Sequence, residues 1–287
     1  MITELSSASK TVTIWPEGPT IIIGERINPT GRKKVGEALI AGDLDMVRRD
    51  AMNQVQAGAH VLDVNVGYPG VDEPKMIVEA VTAVMEVADV PICLDSANPE
   101  VMEAALGVYR GKLLLSSVTA EREKMEAILP LAARHGAAVV AMLMDENGIP
   151  NDARERLEIA RRIVGRAESL GIPRADVIVD CACMAVATDP NAAVVTLEAV
   201  RLVRQELGCN MTLGASNVSF GLPDRRALNG AFLAMVIAAG VNCPIVDPTV
   251  QEVAKAILAA DLLLGKDEYG MNYIRAYRAR QAAEGMA

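Results

Sequence analysis

The stretch AGAHVLDVN, residues 57–65, contains the pattern that decides the fold. A glycine ends a helical segment, a short apolar run follows, and the run closes on Asp63 and Asn65. Short runs of Val, Ile and Leu without polar alternation are typical of parallel strands that are buried on both faces. Because a carboxylate is costly to bury, an acid that closes such a run indicates a strand that ends at a polar cleft.

The same pattern recurs along the whole chain. Strand-like runs begin about every 32 residues, a spacing that accommodates one strand and one helix. The segments Asp43–Gln56 and Arg154–Leu170 carry apolar residues three and four positions apart and are followed by glycine, which predicts helices. The predicted strands begin near Ile21, His60, Ile92, Leu113, Ala137, Asp176, Met211 and Cys243.

Eight such units predict an α/β fold of the TIM (β/α)8 barrel type, a single domain over residues 1–287. A doubly wound sheet is the main alternative, but GERINPTGRKK, residues 24–34, lacks the glycine spacing of its phosphate loop. We expect the stretch before Pro19 to be a lid or edge element and the tail from Lys266 to be a peripheral polar helix. In a barrel the polar residues that close the runs should converge on one face: Glu25, Asp63, Asn65, Asp95, Asp180, Asn217 and Asp247.

Composition narrows the possible partners and the compartment. The net charge of −9, without blocks of Lys or Arg, argues against nucleic acid and anionic membranes as partners. The longest apolar stretches fall short of the ~20 residues that a membrane span requires. The five cysteines are odd in number and scattered, and no signal peptide is visible, so we expect a cytoplasmic protein.

The candidate site is rich in acids and amides and contains no catalytic histidine. A buried carboxylate can accept two adjacent N–H donors, such as those on the amino-pyrimidinone edge of a pterin-like ring. The alternative is that each acid only caps a helix or pairs with a neighbouring cation. We expect no metal, because Cys181-x-Cys183 is not a zinc spacing and neither His60 nor His135 lies in a ligand motif. No lysine ends a strand, which argues against covalent aldolase chemistry.

At these residues the chain resembles the pterin-binding methyltransferase family, which includes the methyltetrahydrofolate corrinoid methyltransferases and the folate domain of cobalamin-dependent methionine synthase. The resemblance covers most of the chain, in order. The matching motifs are IIGERIN (22–28), GAHVLDVNVG (58–67), CLDS (93–96), TAEREKMEAILPLAARHGAA (119–138), VIVD (177–180) and LGASNVSFGLPDR (213–225).

The resemblance implies a set of site residues. It implies that Asp95 and Asp180 hold the pyrimidine edge of the pterin. It also implies that Asn217 is catalytic and hydrogen-bonds near the ring nitrogen that carries the methyl group. The remaining substrate-binding candidates are Ser116, Ser219, Arg225, Glu25, Asn28, Asp63 and Asn65.

Two positions depart from the branch of the family that serves a corrinoid/iron–sulfur protein. Ser116 stands where that branch has an asparagine in the fourth strand, and Phe220 stands where a glutamine follows Asn-Val-Ser. The resemblance therefore does not extend to that branch's finer contacts. The set of Asp95, Asp180 and Asn217 is intact.

The resemblance implies methyl transfer between methyltetrahydrofolate or tetrahydrofolate and the cobalt of a corrinoid, with the direction not encoded. A tertiary amine leaves poorly unless its nitrogen gains a proton or a strong hydrogen bond, and reduced cob(I)alamin is a nucleophile strong enough to accept the methyl. No cobalamin-binding module accompanies the motifs, so we expect a separate corrinoid protein to supply the cobalamin, and we expect a homodimer. The alternatives are a non-catalytic folate-binding protein and an enzyme like dihydropteroate synthase, although the expected strand-ending lysine and S-x-R-x-H motif are missing.

Overall fold

Eight parallel strands form a barrel surrounded by helices, as the sequence predicts. The computed structural model describes residues 1–284. The barrel strands are β3 (Ile23–Ile27), β4 (Val61–Val64), β5 (Ile92–Asp95), β6 (Leu114–Val118), β7 (Ala138–Met142), β8 (Val177–Asp180), β9 (Met211–Thr212) and β10 (Ile245–Val246).

Each strand pairs in parallel with the next one in the chain, and β10 returns to pair with β3. The ring closes between β9 and β10, where Gly214 bridges Ile245 and the Ile245 N–H donates to Leu213 O at 3.0 Å. The TIM-barrel prediction is therefore confirmed, and the alternative of an open doubly wound sheet is wrong.

The helices cover the outer face of the barrel. Their apolar residues and the outward-facing strand residues form one large buried cluster, which explains why the strands read as unbroken apolar runs. The helices are α1 (Lys33–Ile40), α2 (Asp45–Gln56), α3 (Glu73–Val87), α4 (Pro99–Val108), α5 (Arg122–His135), α6 (Ala153–Ser169), α7 (Ala192–Glu206), α8 (Arg225–Ala239), α9 (Gln251–Leu263) and α10 (Met271–Glu284). The described residues also include short 3₁₀ helices at Arg174–Asp176, Ala215–Ser219 and Glu268–Gly270.

The N-terminal stretch is an antiparallel hairpin of β1 (Thr3–Ser6) and β2 (Thr11–Ile14). Leu5 and Ile14 are fully buried against the residues that fill the barrel interior at its N-terminal end. The hairpin is thus a plug at the end opposite the carboxyl ends of the strands. The expectation of a lid or edge element is wrong, because these two side chains belong to the inner core.

The C-terminal tail forms α10, which contacts α9, and its last three residues, 285–287, lie outside the described residues. Within residues 1–284 no helix combines the length and apolarity needed to cross a membrane. His60 accepts a hydrogen bond from the Ile22 N–H at Nδ1 (2.9 Å), which supports a structural role.

Candidate active site

The site is a layer of polar side chains inside the barrel, next to the layer of apolar side chains that forms its inner core. Side chains alternate along a strand, so a residue two positions after an inward-facing one also faces inward. The inner apolar residues Ile23, Val61, Cys93, Leu114, Val140 and Ile178 are followed two positions later by Glu25, Asp63, Asp95, Ser116, Met142 and Asp180. All six of these later residues line one cavity of about 480 Å³ at the carboxyl ends of the strands.

The cavity contains most of the predicted site residues. Ser219, Asn65 and Asp247 are outside its lining. The predicted residues that line it are Glu25, Asn28, Asp63, Asp95, Ser116, Asp180, Asn217 and Arg225.

Asn65 lies beside the cavity and contacts one of its acids. Its Nδ2 donates to Asp95 Oδ2 at 2.9 Å, while its Oδ1 accepts from the Gly67 N–H at 2.7 Å. Burial raises the pKa of Asp95, and the hydrogen bond from Asn65 opposes that rise. Asn65 therefore fixes the orientation of the Asp95 carboxylate from the side.

Asp63 is the most deeply buried acid of the layer. Its side chain is 3% exposed, and its Oδ1 is buried with no hydrogen-bond partner within the described chain. Burial, and after it the charge of Asp95, raise the pKa of Asp63 well above its usual range. A buried acceptor without a partner is costly, so this oxygen is suited to accept a hydrogen bond from a ligand or to carry a proton itself.

Asp180 is held by the loop that follows β8. Its Oδ1 accepts from the Ala182 N–H at 2.8 Å, and Ala182 has a positive φ of 55°. The buried Arg156 holds the same loop, donating to Cys181 O (2.9 Å) and Ala182 O (2.8 Å) and, from Nε, to Pro150 O (2.8 Å). Burial raises the pKa of Asp180 to about 6, against the lowering effects of the Ala182 hydrogen bond and the Arg156 charge.

Glu25 joins the barrel layer to the loop after β9. Its Oε1 accepts from Ser216 Oγ at 2.8 Å. Burial raises the pKa of Glu25, and the Ser216 hydrogen bond opposes that rise. Asp247 was expected to converge here, but it pairs with Arg26 (3.5 Å) and accepts hydrogen bonds from Thr249.

Asn217 lies on the 3₁₀ helix Ala215–Ser219, at the rim of the cavity. Its backbone is fixed, because its N–H donates to Gly214 O (3.2 Å) and its carbonyl accepts from the Phe220 N–H (3.2 Å). The side chain is exposed, and its Nδ2 is 3.1 Å from the place that a β-carbon on Gly214 would occupy. The amide group therefore projects from a rigid turn and remains available to a ligand.

Ser219 is buried below this rim and supports Arg225. Its Oγ accepts from Arg225 Nε at 3.0 Å, while Arg225 Nη2 donates to Ser216 O at 3.0 Å. Arg225 lines the cavity, whereas Ser219 acts on it only through Arg225.

Several lining residues were not among the predicted site residues, although Phe220 was noted as a departure from the family pattern: Arg26, Thr30, Arg32, Ser117, Met142, Gly214, Ser216, Phe220 and Ile245. Met142 and Ile245 are apolar and resemble ordinary strand residues, so polarity could not mark them. Counting two residues onward from each inner apolar position would have found both, since Val140 and Cys243 lie in the inner cluster.

Taken together, the cavity presents several carboxylates at its floor and an amide and a guanidinium at its rim. Such a set can accept adjacent N–H groups from a flat heterocycle and can donate a hydrogen bond to a ring nitrogen above it.

Comparison with known protein families matches residues 24–247 to the pterin binding enzyme family. The chain is also similar to a methylcorrinoid:tetrahydrofolate methyltransferase of Eubacterium limosum, with 31% identity over 266 residues, which is 90% of this chain and 96% of that protein. It is 32% identical over 255 residues to a methionine synthase of Mycobacterium tuberculosis, covering 84% of this chain but 21% of that protein.

Solved structures agree on the fold. A 7,8-dihydropteroate synthase from Vibrio fischeri superposes with a TM-score of 0.69 at 17% identity, covering 92% of this chain and 99% of that one. A dihydropteroate synthase from Yersinia pestis gives a TM-score of 0.68 at 16% identity, covering 91% and 98%. At these identities the likeness concerns the barrel alone.

Proposed function

Because this chain belongs to the pterin-binding enzyme family, we propose that it is a methyltransferase that moves a methyl group between a tetrahydrofolate and the cobalt of a corrinoid. The full-length similarity to a methylcorrinoid:tetrahydrofolate methyltransferase supports this reaction over the others that the family contains.

The observation that carries the proposal is the acid layer at the cavity floor. Asp63, Asp95 and Asp180 come from three different strands and line one cavity, and Asp63 Oδ1 is a buried acceptor without a partner. A pterin offers adjacent N–H donors along its pyrimidine edge, and a carboxylate can accept two of them at once. The layer therefore suits the edge of a pterin, with Asp95 and Asp180 as its main holders.

With the pterin edge at the floor, we expect the Asn217 amide at the rim to lie near the ring nitrogen that carries the methyl group. When the methyl group leaves the folate, the C–N bond breaks, its electron pair stays on the ring nitrogen, and that nitrogen must hold a proton or a strong hydrogen bond. In the opposite direction the nitrogen uses its pair to take up the methyl group and gives up a proton. A neutral amide donor favours the transition state in both directions without fixing a full charge beside the nitrogen.

The corrinoid is the second substrate, and we propose that a separate corrinoid protein brings it to the carboxyl end of the barrel. The open rim supports this arrangement, because Asn217 lines the cavity and is exposed there.

The test is a spectral assay of methyl transfer. We expect that mixing the protein with methyltetrahydrofolate and cob(I)alamin removes the cob(I)alamin absorbance. We also expect that methylcobalamin and tetrahydrofolate give the reverse change. A protein that binds tetrahydrofolate in calorimetry but transfers no methyl group in either direction, with free or protein-bound corrinoid, would instead be a folate-binding protein.

Two further proposals concern assembly and location. The exposed apolar side chains near the end of α9 and along α10 support a homodimer. The five cysteines are all free and buried, which supports a cytoplasmic protein because such thiols persist in a reducing compartment.

A further inference from the structure

Phe220 is an exposed aromatic side chain at the mouth of the cavity. It follows the 3₁₀ helix Ala215–Ser219, lines the cavity, and is 52% exposed. Among the described residues that line the cavity it is the only aromatic one. Exposing so much of a phenylalanine forgoes the free energy that its burial would give, and the position is next to the proposed catalytic turn.

The ring is held in place from one side by Arg225. The guanidinium carbon lies 4.5 Å from the ring centroid, a cation–π contact. Arg225 is itself fixed by its hydrogen bonds to Ser219 Oγ and Ser216 O, and the Phe220 N–H donates to Asn217 O. The ring is therefore a preorganised surface rather than a loose side chain, and its remaining exposed area is free to contact a ligand.

The proposed substrate has a part that matches this surface. A tetrahydrofolate carries a p-aminobenzoyl ring beyond its pterin, so an acid layer that holds the pterin edge at the floor leaves that ring toward the mouth. Aromatic rings stack favourably at centroid separations of about 4.5–7 Å. The positive charge of Arg225 behind Phe220 polarises its ring, which favours stacking with a ring that carries an electron-donating amino group.

We propose that Phe220, supported by Arg225, is the subsite for the p-aminobenzoyl arm, so that the enzyme selects folates over tetrahydropterins that lack the arm. This inference rests on the proposed function. A protein-docking surface is the less favoured occupant, because the core of such a surface needs a cluster of apolar residues. Here a single aromatic ring stands at the rim of a largely polar cavity.

The experiment compares two ligands and two variants by calorimetry. The ligands are tetrahydrofolate and 6-methyltetrahydropterin, which has the pterin but no aryl arm. We expect Phe220→Ala to weaken tetrahydrofolate binding on the order of tenfold and to leave 6-methyltetrahydropterin binding unchanged. Phe220→Tyr, which keeps a ring, should retain most of the affinity. Val194→Ala, which truncates a 61% exposed apolar side chain outside the cavity lining, is the control and should change neither affinity.

The other outcomes overturn the inference in distinguishable ways. Equal weakening of both ligands would mean that Phe220 only shapes the loop. Unchanged affinities with slower methyl transfer would place the ring against the corrinoid substrate instead. If the wild-type protein bound neither ligand, the proposed function would fail as well, whereas normal wild-type binding of both would leave it standing.

Discussion

Asn217 combines a rigid backbone with a side-chain amide that is exposed at the cavity rim. If the amide acts mainly on the transition state, Asn217→Ala should lower the rate of methyl transfer about 10²–10³-fold while changing folate affinity little. Stopped-flow measurement of cob(I)alamin methylation, beside calorimetric binding of methyltetrahydrofolate, separates the two effects. A folded variant that transfers methyl at the wild-type rate would remove Asn217 from the mechanism.

Asp180 illustrates a conflict between stability and binding. Its pKa is about 6 in the folded protein and near 3.8 when unfolded, so folding disfavours its ionised form. The contribution of the neutral Asp180 carboxyl to the free energy of unfolding is fully present below about pH 4 and is lost as the pH rises through 6. Asp180→Asn should therefore stabilise the ligand-free protein at pH 7.5, by at most about 3 kcal/mol.

Urea unfolding at pH 7.5 and at pH 4 measures this effect, and the difference between wild type and variant should shrink at the lower pH. The same variant should lose about 1.5–3 kcal/mol of methyltetrahydrofolate binding, because an amide cannot replace a carboxylate that accepts two N–H groups. Unchanged folate affinity would contradict the role of Asp180 in holding the pterin.

The loop after β8 depends on one buried cation. Arg156 donates to three backbone carbonyls and also contacts Thr196 Oγ1 at 3.2 Å. Arg156→Met would leave the carbonyls of Pro150 and Cys181 without this donor, at about 1–3 kcal/mol each, while Ala182 O keeps its hydrogen bond from Thr196 Oγ1. The variant should therefore cost roughly 3 kcal/mol of stability. It would also remove the charge that lowers the pKa of Asp180, so the carboxyl should take up its proton at a higher pH. As the pH is lowered, folate binding should therefore be lost at a higher pH in the variant than in wild type.

The pH dependence of tetrahydrofolate affinity distinguishes two effects of Arg156: the effect of its charge on the pKa of Asp180, and its effect on the position of the loop after β8. Arg156→Lys keeps the charge and should stay near the wild-type pH midpoint. Thr196→Val disturbs the same loop without a charge change and is the control, because its midpoint should not move. An Arg156→Met protein with an unshifted midpoint would show that Arg156 acts on the loop alone.

At the level of strands and helices, the sequence predicted the architecture well. The predicted strand at Ile92 begins at Ile92, and the one near Cys243 begins at Ile245, so the largest displacement is two residues. Periodicity located these elements because barrel strands are buried on both faces. The sequence did not predict which end of the barrel the hairpin of residues 3–14 covers, because short strands carry no signal for their position on a barrel.

The site was partly predictable for a related physical reason. An acid at the end of an apolar run is conspicuous, so Asp63, Asp95 and Asp180 stand out in the sequence. The contacts that orient them were hidden, since Arg156 lies on a helix of ordinary amphipathic pattern. Long-range partners of this kind become visible only when the loops are in place.

The assembled molecule leaves apolar side chains uncovered at one corner. Leu263 at the end of α9 is 85% exposed and Tyr269 is 88% exposed, and Met271, Ile274 and Tyr277 on α10 are also exposed. Exposed apolar patches commonly mark an interface, and a twofold dimer would bury the same surface on both copies. We therefore expect the wild-type protein to sediment at twice the chain mass of 30.4 kDa.

Replacing Leu263 and Tyr269 by lysine should dissociate this dimer, because each copy would place charges in an apolar contact. Val194→Lys, which charges a 61% exposed apolar position on α7, is the matched control and should leave the dimer intact. Sedimentation velocity at micromolar concentration measures all three proteins. A wild-type species of 30.4 kDa would contradict the dimer. Dissociation by Val194→Lys would show that the interface lies on α7 instead.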